Sequence, residues 1–295
     1  IRIPAGLCGV YGLKATFGRV SEHGAAPLCW SVAHVGPMAA TASDLVLGYA
    51  IMAGKDPQDA NTHKQPPIKL PDTTNLNLQG QRIGVFRPWF EDASPAIVEA
   101  CDAMLAFFQE QGARLVDIEI EQLENIRVAH TLTIASEMSA SFETSYKQNR
   151  RNFGNDVRIN LALARHFTSR DYVRAQRMRT RALRIMASVF KQVDVVATPT
   201  TAITAPVIKK DVPRAGETDL VTLSRIMRFQ TLANLTGHPG VSFPVGYDAA
   251  GLPIGMQLMA PHWEEQRLLE FALVSEAGLE RKRPGVHYDL LGGVQ

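Results

Sequence analysis

The chain has almost no charge imbalance: 31 Lys and Arg stand against 29 Asp and Glu, a formal net charge of +2 over 295 residues. So small an excess does not make a phosphate-binding surface, and no nucleic-acid partner is expected. The basic runs Arg150-Arg151 and Arg281-Lys282-Arg283 read as solvated helix or loop faces. Cysteine is scarce too. Cys8, Cys29 and Cys101 are odd in number and lack CxxC or other metal-ligand spacing, which argues against a disulfide framework and a zinc site. Free thiols fit a reducing, intracellular setting. No apolar run reaches about 18 residues, so no membrane-spanning helix is encoded. A Gly-x-Ser-x-Gly motif is missing, and His34, His238, His262 and His287 fall in loop-like segments, poor ground for a Ser-His-Asp system. The chain opens without Met or a secretory leader and starts mid-motif, which leaves targeting and membrane association open.

What is present is globular. Hydrophobic residues make up 45% and charged residues 20%, with 22 Gly and 17 Pro, enough chain for one large domain or two modest ones. Residues 1–60 read as loop-rich and end in a helix over 42–53, where Ser43-Asp44 offers capping chemistry, Leu45, Val46 and Tyr49 an apolar stripe, and Gly54 a stop. Polar residues with Pro66, Pro67 and Pro71 make 62–80 an exposed connector. A strand over 82–86, a helix over 95–111 with Ile97, Cys101, Met104, Leu105 and Phe108 on one face, and a strand over 114–120 form a β-α-β unit. A long, mostly helical stretch over 125–192 follows. Further along come strands over 194–197, 241–243 and 254–259 and helices over 220–235 and 264–276. Strands alternating with helices predict an α/β layered fold.

The opening string is the most specific signal. Ile1-Arg2-Ile3-Pro4-Ala5-Gly6 runs into Leu7-Cys8-Gly9-Val10-Tyr11-Gly12-Leu13-Lys14-Ala15-Thr16-Phe17-Gly18-Arg19-Val20. Its glycines permit tight turns and Pro4 stiffens the exit from the first one. The whole string resembles the stretch that follows the nucleophilic serine in the amidase signature family. Separate blocks agree with it: Val32-Ala33-His34-Val35-Gly36-Pro37-Met38-Ala39, Ala53-Gly54-Lys55-Asp56-Pro57-Gln58-Asp59, the run from Asn234 to Gly246, and Gly251-Leu252-Pro253-Ile254-Gly255-Met256-Gln257.

The resemblance implies an amidase-signature fold, a mixed β-sheet flanked by helices. Residues 1–295 would be the C-terminal part of a single domain whose N-terminal half precedes Ile1. It implies hydrolysis of a carboxamide by a Ser-cisSer-Lys triad whose members all lie before this chain, so the segment alone is expected to be inactive. No metal or organic cofactor is implied. Lys14 follows the nucleophile and takes a structural position in that pattern. Arg2, two positions after the nucleophile, is the one supporting catalytic residue carried over, expected to hold the nucleophile turn.

Segments over 167–176, 193–206 and 216–218, with the tail His287-Tyr288-Asp289-Leu290-Leu291, look like the plant-type fatty-acid amide hydrolase branch. That points to N-acylethanolamines or related long-chain amides, with Met227, Thr231 and Trp263 lining the acyl passage; Trp263 matches only with one residue inserted. Read without the resemblance, Met227 and Phe229 fit ordinary helix packing better than a substrate passage. Two rivals share the family: a general short-chain amidase and a glutamine amidotransferase subunit. A third, from another class, is a non-catalytic binding protein or pseudoenzyme. The partners implied are a small-molecule amide, a lipid in the plant-type branch, and the preceding half of the same domain; a homodimer is left open. Strands deprived of that half would leave an open edge and an apolar patch, and poor solubility of the segment alone is expected.

Overall fold

The computed structural model describes residues 1–282 except 211, 213–215 and 217; the 287–291 tail, His287, Arg283 and Glu217 lie outside them. Seven strands form one mixed sheet: β1 (Tyr11–Lys14), β2 (Met38–Ala39), β3 (Arg82–Val85), β4 (Arg114–Asp117), β5 (Val195–Pro199), β6 (Gly240–Tyr247) and β7 (Pro253–Met259). Their order is β2-β1-β6-β7-β5-β3-β4. β3 pairs in parallel with β4 and β5, while the other pairings are antiparallel.

The helices described are α1 (Arg2–Cys8), α2 (Ala42–Met52), α3 (Arg87–Phe90), α4 (Pro95–Glu110), α5 (Leu123–Ser141), α6 (Glu143–Asn149), α7 (Asn155–Ala164), α8 (Ser169–Val189), α9 (Leu220–Met227), α10 (Thr231–Thr236) and α11 (Glu265–Ser275). None of those described is long and apolar enough to cross a membrane. The β3-α4-β4 unit matches the expected β-α-β, and α4 buries Ile97, Cys101, Met104, Leu105 and Phe108, the face its spacing predicts.

The two faces of the sheet differ because strand side chains alternate. Val241 and Phe243 of β6, Met256 and Leu258 of β7, and Val195 and Ala197 of β5 enter one apolar core with α2, α4 and α11, where Phe108 meets Phe243 and Phe271 edge-on. On the opposite face Ser242, Gly255, Gln257 and Thr198 are small or polar, while Val196 and Met259 enter a second core. Against that second face lies α1. A Cβ on Gly6 would come within 2.7 Å of Thr200, and one on Gly255 within 2.7 Å of the Gly6 Cα, so these glycines set how closely the helix approaches. Outside α1, helices α5, α8 and α10 enclose a second core around Ile126, Ala182, Met186 and Leu232.

The opening segment departs from the loop-rich reading. Its first residues form α1, since Pro4 sits in the first turn, where no intrahelical N–H is lost, and Gly9 closes the helix at φ 67°. The predicted 220–235 helix is two helices. Its break at 228–230 has a cause on the sheet: the carbonyls of Phe229 and Gln230 accept side-chain bonds from Gln257 and Arg2. The long helical stretch is likewise divided, into α5 to α8. β6 continues through Pro244 because a register shift between Pro244 and Gly246 absorbs its missing donor. In the 62–80 connector Gln65 and Leu78 are buried. The outer strands of the described sheet are β2 and β4, and Met38, Leu47 and Ile51 stand exposed on and beside β2.

Candidate active site

The polar face of the sheet, α1 and the α9–α10 break converge on a cavity of about 270 Å³. Arg2 reaches across its floor. One guanidinium nitrogen donates to Gln257 Oε1 at 2.8 Å; the other donates to Asn234 Oδ1 at 2.6 Å and to the Gln230 carbonyl at 3.1 Å. Gln257 is oriented in turn, its amide donating to Thr198 Oγ1 and the Phe229 carbonyl, while Gln230 donates to the Thr200 carbonyl. All the acceptors around Arg2 are neutral oxygens, and burial lowers its pKa to about 9. This arginine therefore ties α1 to β7 and to both sides of the helix break.

Lys14, the last residue of β1, forms another part of the wall. Its ammonium donates to the Ala15 carbonyl at 3.1 Å and lies 3.2 Å from His34 Nε2. The other ring nitrogen, Nδ1, sits 3.0 Å from the Val32 carbonyl, which can only accept, so Nδ1 carries the proton and Nε2 accepts from Lys14. Burial, and then the charge of Arg2, hold the Lys14 ammonium well below its ordinary value; burial and the Lys14 charge do the same to His34. Leu28, Val32, Ile134 and Met227 give the remaining wall an apolar character, with Cys29 between them.

The structure brings Arg2 and Met227 to this cavity. Thr231 opens α10, buried, and is not among the residues lining it. Trp263 sits elsewhere, in the left-handed region at φ 71°: its N–H donates to Thr16 Oγ1 and its ring faces the Arg19 guanidinium at 4.8 Å. The amides Gln230, Asn234 and Gln257 were not legible as a set, because nothing local distinguishes a buried amide that orients an arginine from one in solvent. Lys14, a structural lysine by motif alone, lines the wall.

Buried neutral histidines give the protein an acid-sensitive stability. Burial lowers His130 from 6.5 to about 4, and His238, stacked on His262 at 3.9 Å, to about 2. The unfolded chain takes up these protons below about 6.5, whereas the folded protein does not. Stability is thus fully present above pH 6.5 and falls as pH drops toward the folded values, by about 2 kcal/mol at pH 5 for His130 alone. The urea midpoint is expected to be lower at pH 5 than at pH 7.5; an equal or higher midpoint contradicts neutral burial.

Comparison with known proteins follows the same lines. A family model described as Amidase matches residues 1–269. A fatty acid amide hydrolase of Medicago truncatula is 38% identical over 99% of this chain and 50% of its own length; one of Oryza sativa subsp. japonica is 39% identical over 99% and 49%. The chain thus spans about half the length of these curated relatives. A solved structure described as an unexpected vestigial protein complex revealing the evolutionary origins of an s-triazine catabolic enzyme superposes with a TM-score of 0.81 at 29% identity. It covers 94% of this chain and 60% of that one.

Proposed function

The chain belongs to the amidase family, and from that premise we propose that the complete protein hydrolyses carboxamides, with fatty-acid amides of the N-acylethanolamine type as its substrates. The observation that carries this is the cavity itself. Ile1 and Arg2 line it, so a nucleophilic serine at the position the family resemblance gives, directly before Ile1, would stand at its rim. The wall beyond is apolar through Leu28, Val32, Ile134 and Met227, as an acyl chain requires.

In this proposal Arg2 is a positioning residue. It holds α1 against Gln257, Gln230 and Asn234, and so fixes the turn from which the serine attacks. Met227 contacts the acyl chain. Thr231, whose chain position follows the helix break, and Trp263, which stacks on Arg19, act on that passage through the packing of α10 and of the Thr16–Arg19 segment. The base that activates the serine is a lysine earlier in the complete protein, and the chemistry needs no cofactor. Arg2, Lys14, His34, Gln230 and Asn234 give the cavity a polar side, and it is the apolar side formed by Leu28, Val32, Ile134 and Met227 that favours a lipid amide over the amino-acid substrate of an amidotransferase subunit.

Release of free fatty acid from an N-acylethanolamine by the complete protein tests this. The expected result is a kcat/KM for the long-chain amide at least about tenfold above that for a short aliphatic amide, since each buried methylene contributes about 0.8 kcal/mol. Equal rates would favour a general amidase, and no hydrolysis of either a pseudoenzyme.

A further inference from the structure

Segment 28–34 has no regular secondary structure, yet it supplies one wall of the cavity through Leu28, Cys29, Val32 and His34. On its outer side lies a second cavity of about 550 Å³ bordered by Trp30, Ser31, Glu137 and Tyr172. Cys29 and Val32 are buried, but Trp30 is exposed and cavities lie on both sides of the segment, so packing alone does not fix this wall. Hydrogen bonds add to it. Glu137 of α5, buried, accepts from the Ser31 backbone N–H at 2.9 Å, from the Ser31 hydroxyl at 2.5 Å and from the Tyr172 hydroxyl of α8 at 2.8 Å. Arg179, two turns further along α8, donates to the Ser31 carbonyl at 3.1 Å and to its hydroxyl at 2.9 Å. Ser141 adds a bond to the Leu28 carbonyl at 2.9 Å. Ile134 and Glu137 are three residues apart, on one face of α5, so the helix that contributes apolar wall also carries the carboxylate that pins the opposite segment.

We propose that Glu137, with Tyr172 and Arg179, is a latch that holds segment 28–34 in place and thereby sets the fit of the substrate in the cavity, making these residues positioning residues for substrate affinity. Their bonds are charge-assisted and partly buried, which makes them stronger than neutral bonds in open solvent. Loss of the latch frees the wall to shift toward the outer cavity. The Arg2 network, which touches none of these residues, is left in place.

Cys29 reports the position of the wall directly. It is buried, and burial followed by the Glu137 charge pushes its thiol up to about 12, so it reacts slowly while the wall is latched. Cys101, fully buried in the other core, reports the integrity of the fold. The experiment compares the complete wild-type protein with Glu137→Ala and Tyr172→Phe by site-resolved mass spectrometry of iodoacetamide labelling, alongside kcat and KM for an N-acylethanolamine. Cys29 is expected to label about tenfold faster in Glu137→Ala and about threefold faster in Tyr172→Phe, with Cys101 unlabelled. KM is expected to rise about three- to tenfold with kcat within about twofold. Unchanged Cys29 labelling in both variants overturns the latch, as does faster labelling with unchanged KM. If Glu137→Ala labels Cys101, it has lost its fold and Tyr172→Phe decides. The kinetic half rests on the proposed amide hydrolysis; a wild-type protein without hydrolysis contradicts that proposal, while the labelling still decides the latch.

Discussion

Replacing Arg2 by alanine in the complete protein is expected to lower kcat/KM for the proposed amide substrate by about a hundredfold. Three acceptors lose their donor at once: Gln257 Oε1, Asn234 Oδ1 and the Gln230 carbonyl. Each is buried or nearly so, and an orphaned buried acceptor costs about 1–3 kcal/mol. The structure answers by letting α1 move off β7, and a displacement of about 1 Å at a nucleophile turn is enough for the predicted loss. Arg2→Lys is expected to recover less than about a tenth of it. An ammonium keeps the charge but cannot present two nitrogens in the planar fork that meets Gln257 on one side and Asn234 with Gln230 on the other. Steady-state kinetics on the three proteins, with urea unfolding as the control for stability, make the measurement. A kcat/KM within about twofold of wild type in Arg2→Ala would show that α1 is held by packing alone.

The second large effect is on stability. Glu265, fully buried in the first turn of α11, accepts from the Thr16 N–H at 2.8 Å and faces the Arg19 guanidinium at 3.5 Å, both side chains being about 1% exposed. The other terminal nitrogen of Arg19 donates to Gln65 Oε1 and the Pro66 carbonyl, and the guanidinium lies over the Trp263 ring. Glu265 is its only carboxylate among the described residues. Glu265→Ala therefore strands a cation in the interior, and truncating one member of a buried pair costs about 3–5 kcal/mol. Glu265→Gln keeps an acceptor for Thr16 and is expected to cost less. The shift in urea midpoint at constant slope measures both; a loss below about 1 kcal/mol in Glu265→Ala would mean that Arg19 finds water or another acceptor.

The same residues show how far the sequence carries. Helix α4 was legible to the side chain, because a five-residue apolar face at helical spacing has one way to be buried against a sheet. The motif blocks at 1–20 and 234–257 were legible as a family, and they hold Arg2, Asn234 and Gln257, which meet in space. Helix α1 was obscured because Pro4 and Gly6 read as breakers, whereas one stands where no donor is lost and the other where only a hydrogen fits against Thr200. The break between α9 and α10 was hidden for a related reason: it is fixed by side chains more than 25 residues away that capture its carbonyls, and local periodicity is blind to them. The left-handed backbone at Trp263, which turns its ring onto Arg19 and away from the cavity, has no local signal either, since glycine and asparagine are the residues that announce it.

In the proposed function this cavity receives the acyl part of an amide. The most direct measurement is the ratio of kcat/KM for a long-chain N-acylethanolamine to that for a short amide, taken on the complete protein and on its Met227→Trp variant, whose indole would fill the space beside Ile134. A cavity that holds the acyl chain predicts that the ratio falls by about tenfold or more in the variant, the equivalent of about two displaced methylenes. An unchanged ratio, with hydrolysis intact, would place the acyl chain elsewhere and contradict the assignment of this cavity.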